Sequence, residues 1–171
     1  MGQKMNADGQ IQQQTAVRFE RLLPGPIERV WDYLTCGEHI AAWFGGGPQK
    51  FSMEPRTGGT IDFADGHIRG VVTQWKPPLL LAYTWNVFMP GDTESPYPVS
   101  YVTFELQIQG TEVLLILTHH PVIEGFAAQT MMGWHTFLDL LGALLRDEAP
   151  ETREVVMQRN KARYGVKEIK R

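Results

Sequence analysis

One stretch governs what this chain can fold into. From Ala127 to Leu145, the residues Ala127, Met131, Trp134, Leu138, Leu141 and Leu145 recur at steps of three and four. Thr130, Phe137 and Leu144 widen the stripe, while Gln129, Thr136, Asp139 and Arg146 fall on the other side. This is the pattern of an amphipathic helix with one buried face. No other segment carries as much apolar surface at helical spacing, so the rest of the chain has to be arranged to cover it.

The segments before it read mostly as strands. Residues 15–23 alternate as an opening strand, broken by Pro24-Gly25-Pro26. Pro26 suits the first turn of a short helix carrying Ile27, Val30, Trp31 and Leu34. Gly37 ends it, and a second short helix over 38–44 carries Ile40, Trp43 and Phe44. Gly45-Gly46-Gly47-Pro48 predicts a mobile exit. Six strands follow, over 49–54, 60–63, 67–76, 79–86, 99–109 and 112–120. Asp65-Gly66 marks a hairpin. Residues 87–98 form the longest connection, of the kind that is often a binding loop or simply disordered. Leu114–Leu117 is apolar on both faces, which predicts a central strand. A twisted antiparallel sheet gripping the 127–145 helix is the natural solution, with side chains or a ligand filling the space between.

Composition narrows the function classes. With 171 residues, one domain over 15–147 is expected, preceded by a disordered lead over 1–14 and followed by a charged tail over 148–171. In that tail, Val155, Val156 and Met157 could pin one short helix. A net charge of −3 gives no general attraction to nucleic acid or an anionic membrane. Cys36 is the single cysteine, so no internal disulfide forms, in keeping with a cytoplasmic setting. No apolar run is long enough for a membrane span. Neither Gly45-Gly46-Gly47 nor Gly58-Gly59 joins the Lys-Ser/Thr of a phosphate loop, and no His or Cys spacing suits a metal, so neither cofactor nor metal is expected.

Several blocks resemble a known superfamily. Pro24-Gly25-Pro26-Ile27-Glu28-Arg29-Val30-Trp31 resembles the Ala-Pro-x-x-x-Val-Trp opening of SRPBCC/START-like (Bet v-like) proteins, with Gly25 where alanine is usual. Trp43-Phe44-Gly45 is similar to the Trp-Phe closing the second short helix, and Arg56-Thr57-Gly58-Gly59 to the Arg-x-Gly-Gly turn. The run from Gly70-Val71-Val72 through Pro77-Pro78-Leu79 to Tyr83-Thr84-Trp85, and Gly133-Trp134 with Leu138 and Leu141, resemble the remaining blocks in order. The subfamily they resemble is named for the C-terminal domain of the activator of the 90-kDa heat-shock chaperone's ATPase. The resemblance implies an α+β helix-grip fold. In it, a curved antiparallel sheet of about seven strands wraps on a long C-terminal helix, with two short helices after the first strand. It also implies a cavity under that helix, used elsewhere for lipids, polyketides or other apolar molecules, with no shared catalytic residue set.

The candidate site residues follow. Met131, Trp134, Phe137 and Leu138 are read as the cavity ceiling, or alternatively as ordinary core. Trp43 and Phe44 are read as a mouth, or as a clamp on the sheet. Tyr83, Trp85, Tyr101 and His119 lie on strands, where inward-facing groups could orient a ligand; a slip of one residue turns each outward. His119 and His120 are adjacent on a strand and point to opposite faces, so they do not chelate. Glu54, Arg56, Asp62 and Asp65 surround two turns as solvated residues or, alternatively, an acid–base pair. The expected function is binding of a small hydrophobic or amphipathic ligand. The alternatives are an enzyme on the same fold (cyclase, dehydratase or hydrolase-like) and a stress or chaperone-associated interaction protein. The expected partner is a small apolar molecule, with no nucleic acid. The basic tail is solvated or serves as a homodimer contact, and a chaperone partner belongs to the third alternative.

Overall fold

The computed structural model describes residues 7–45, 47 and 49–167. Residues 1–6 of the expected lead, Gly46 and Pro48 of the expected mobile exit, and residues 168–171 lie outside the described residues. Residues 7–14 are exposed and carry no regular structure.

The elements run β1 (Val17–Pro24), α1 (Ile27–Thr35), α2 (Gly37–Phe44), β2 (Phe51–Met53), β3 (Thr60–Phe63), β4 (Ile68–Lys76), β5 (Leu80–Val87), β6 (Ser100–Gln109), β7 (Glu112–His120), α3 (Ala127–Leu145) and α4 (Arg153–Tyr164). One turn of 3-10 helix, Glu124–Phe126, leads into α3. The strands form one seven-stranded antiparallel sheet in the order β1-β7-β6-β5-β4-β3-β2. β7 lies between β1 and β6, which is why its apolar residues occupy both faces. The curved sheet grips α3, an α+β helix-grip fold.

Alternation sets the inner face of the sheet. Val17 pairs with His119, His119 with Val102, Val102 with Tyr83 and Tyr83 with Val72, a row of buried side chains across five strands. Tyr83 is only 1% exposed, and burial pushes its hydroxyl pKa upward. From the other side come Trp134, Phe137, Leu138 and Leu141 of α3. The turn at Ala64-Asp65-Gly66-His67 joins β3 to β4, with Phe63 and Ile68 the last pair.

Two glycines of the recognised blocks meet backbone. A Cβ at Gly70 would fall against the carbonyl oxygen of Thr84 on the neighbouring strand. At Gly25, which stands in place of the usual alanine, a Cβ would lie 2.7 Å from the Thr111 carbonyl, to which the Gly25 N–H donates at 3.0 Å.

One expectation is corrected. α3 has two buried faces, not one. Thr136, expected on the polar side, is 0% exposed because α4 packs over it. The Thr136 hydroxyl donates to the Met132 carbonyl at 2.8 Å and accepts from Asn160 Nδ2 at 3.1 Å. His135 Nδ1 lies 2.6 Å from the Tyr164 hydroxyl. α4 begins at Thr152, whose side chain accepts from Val155 N–H at 3.4 Å, and ends at Gly165 in a left-handed conformation. Val156 is buried, whereas Val155 is half-exposed.

Candidate functional site

A cavity of about 260 Å³ opens at the end of the sheet where β5, β6 and β7 meet the first turns of α3. β5 contributes Trp85 and Val87, and the 88–99 connection contributes Tyr97 and Pro98. Ser100 opens β6 and His119 closes β7. Pro121, Val122 and Ile123 follow β7, Phe126 ends the 3-10 turn, and Thr130 stands on α3. Tyr97 and Phe126 meet edge to face across the mouth, with ring centroids 6.1 Å apart.

The wall holds a directed chain of hydrogen bonds. An indole nitrogen can only donate. Trp134 Nε1–H donates to His119 Nδ1 at 3.0 Å, so that nitrogen carries no proton. The proton of the neutral ring is therefore on Nε2, which donates to Ser100 Oγ at 2.8 Å. Ser100 in turn donates to the Trp85 carbonyl at 3.0 Å. Burial, and then the charge of the adjacent His120, push the His119 pKa down to about 4. The ring is thus neutral at pH 7 with its tautomer set by Trp134.

A serine within hydrogen-bond reach of a histidine invites a nucleophile–base reading. Here the polarity runs the wrong way. A base needs an unprotonated nitrogen facing the hydroxyl, and His119 presents a proton to Ser100 while its lone pair is held by Trp134. The pair braces β6 against β7 and both against α3.

The residues singled out from the sequence fall in four places. Trp85 and His119 line the cavity. Tyr83, Trp134, Phe137 and Leu138 are buried in the core, Leu138 lining a different cavity toward β1 and α4, and Met131 packs on that core half-buried. Trp134 sits under the cavity wall, with its ring centroid 5.2 Å from that of Trp85 and 6.1 Å from that of His119. Trp43 donates from Nε1 to the Tyr33 carbonyl of α1 at 2.7 Å, and Phe44 stacks on Phe137 of α3 at 4.3 Å, so the two clamp α2 onto α1 and α3. The register turns Tyr101 to the outer face, where it is 41% exposed and stacks on His120.

Tyr97, Ser100, Ile123 and Phe126 were not singled out by sequence. Their signal was the long 88–99 connection, with Tyr97 set between two prolines, and the short turn after Pro121. Glu54 bonds locally, to the Thr60 hydroxyl at 2.6 Å and to Arg56 at 3.1 Å, and Asp65 accepts from the Lys50 N–H at 3.1 Å. The Thr60 hydrogen bonds lower the Glu54 pKa. A second cavity of about 300 Å³, between β1 and the α3–α4 junction, is rimmed by charges such as Arg21, Asp139, Arg146 and Arg159 and has no comparable apolar wall.

None of the curated proteins matches the chain. Solved structures do. CalU16 from Micromonospora echinospora superimposes with a TM-score of 0.68 at 23% identity, covering 88% of this chain and 86% of that one. The protein encoded by gene BPP1335 from Bordetella parapertussis gives a TM-score of 0.66 at 27% identity, covering 96% and 92%. PFC0360w, an HSP90 activator from Plasmodium falciparum, gives 0.64 at 19% identity, covering 77% and 96%. The sequence pattern of one family matches residues 24–146, from the Pro24 break through the last turn of α3. On that match, the chain belongs to the family described as Activator of Hsp90 ATPase homolog 1-like protein.

Proposed function

We propose that this protein binds a small apolar molecule in the cavity between Trp85, Phe126 and the first turns of α3. The observation that carries the reading is a cavity of about 260 Å³ whose wall is mostly carbon and whose buried polar side chains, His119 and Ser100, are already hydrogen-bonded. Such a wall holds water poorly and gains by taking up apolar surface. The test uses N-phenyl-1-naphthylamine, a neutral fluorescent probe. Its emission should rise and saturate at one equivalent, and the melting temperature should climb with probe concentration. Thr130→Phe, which fills the mouth from a half-buried helix position, should abolish both effects. A non-saturating signal, or one unchanged by Thr130→Phe, would remove the reading.

The family match supports a second reading, association with a 90-kDa heat-shock chaperone. Met89, Val99, Ile123 and Phe126 leave exposed apolar surface around the same mouth. Saturable binding of the chaperone, lost on Phe126→Asp and unaffected by the probe, would favour it.

A further inference from the structure

The cavity sits within a stretch of unusual charge. From Pro77 to Leu145 the chain contains no lysine and no arginine, while it carries Asp92, Glu94, Glu105, Glu112, Glu124 and Asp139. Every residue lining the cavity comes from this stretch, and none carries a positive charge with His119 neutral. Glu124 lies between Ile123 and Phe126 of the rim, and Asp92 and Glu94 lie on the connection that supplies Tyr97. Arg69 approaches the start of that connection, with its guanidinium 4.5 Å from the Phe88 ring centroid and Nε donating to the Gly66 carbonyl at 3.0 Å. It pairs with Asn86, whereas Ile68 pairs with the cavity residue Val87. Arg69 therefore lies on the opposite face of the sheet.

An anion entering this cavity would lose water and find no cationic side chain among the lining residues. A hydrogen-bond donor fares differently. Ser100 lines the cavity, and its Oγ has two acceptor sites of which His119 fills one, which leaves a second acceptor site for a ligand O–H or N–H to compete for. Three aromatic residues, Trp85, Tyr97 and Phe126, line the cavity, and a cation gains where it meets a ring face.

We infer that the cavity selects its occupant by charge: it admits apolar molecules whose polar group is a neutral or cationic donor, an alcohol or an amine, and excludes carboxylates and phosphates. This rests on the ligand-binding reading above and adds its chemical class.

The test is calorimetric titration of the full chain at pH 7.5 with three compounds on one skeleton: 2-naphthylmethanol, 2-naphthylmethylammonium and 2-naphthoate. The alcohol and the ammonium should bind within tenfold of each other, and the carboxylate at least 100-fold more weakly than the alcohol. In Thr130→Lys, which places an ammonium at the mouth, the carboxylate should gain at least tenfold and the ammonium should weaken. Naphthoate binding the wild type as tightly as the alcohol, or an order unmoved by Thr130→Lys, would overturn the charge selection and leave cavity binding standing. Failure of all three compounds to bind would overturn both readings together.

Discussion

The indole nitrogen of Trp134 donates to Nδ1 of His119 at 3.0 Å, inside the core, where α3 meets the end of β7. One donor-only group thereby fixes the tautomer of a buried ring, and the ring passes that direction on to Ser100 and the Trp85 carbonyl. The three links tie the helix to β7, β6 and β5.

Trp134→Phe keeps most of the buried area and removes the donor. His119 Nδ1 is then left without its partner in a site that excludes water, and the loss should be about 1–3 kcal/mol in urea denaturation. Nitrogen chemical shifts of the His119 ring should show the single-tautomer signature of the wild type replaced by a mixture.

Acid should weaken the fold through His119. Its pKa is about 4 in the folded chain, against an ordinary value of 6.5, so between those values the unfolded chain binds more protons. The stabilisation is complete above about pH 6.5 and is lost as the pH falls toward 4, about 3 kcal/mol in all from the size of that shift. His119→Gln retains an acceptor and a donor without titrating. The wild-type stability minus that of His119→Gln should therefore fall across this window; a flat difference would remove the assignment.

Gly70 and Gly133 make a matched pair. Gly70→Ala forces a Cβ against the Thr84 carbonyl in the sheet and should cost about 1–3 kcal/mol. Gly133, within α3, has nothing within 4 Å of its Cβ position, so Gly133→Ala should gain up to about 1 kcal/mol from helix propensity. Thermal melts of the two variants should move in opposite directions.

α4 is held to α3 mainly by polar ties, with Val156 its buried apolar residue. Asn160→Ala removes the group that donates to Thr136 and accepts from Arg163, in a fully buried position. The expected cost is about 1–3 kcal/mol. Amide exchange should accelerate in residues 153–164 well before it does in β7, because few apolar contacts oppose local opening.

The order of elements was legible in the sequence because each is written in local chemistry. Period-two alternation in residues 99–109, the breaks at Pro24-Gly25-Pro26 and Pro77-Pro78, and the apolar stripe of residues 127–145 need no distant partner to be recognised. The same blocks carried the resemblance to the family. Local periodicity could not say what would cover each face. Thr136 reads as a solvent-facing residue until α4 is laid over it, and a threonine tolerates that burial because its hydroxyl bonds to Met132 and Asn160.

Register was the other silent quantity. Trp85 and Tyr101 both sit on alternating strands, yet pairing across β5 and β6 turns Trp85 into the cavity and Tyr101 out of it. The sequence alone determined the strands, the gripping helix and the cation-free stretch, since these depend on residue type and spacing. Tertiary structure alone decided that this stretch closes around a cavity at the mouth, above Trp134, because that follows from contacts between segments far apart in the chain.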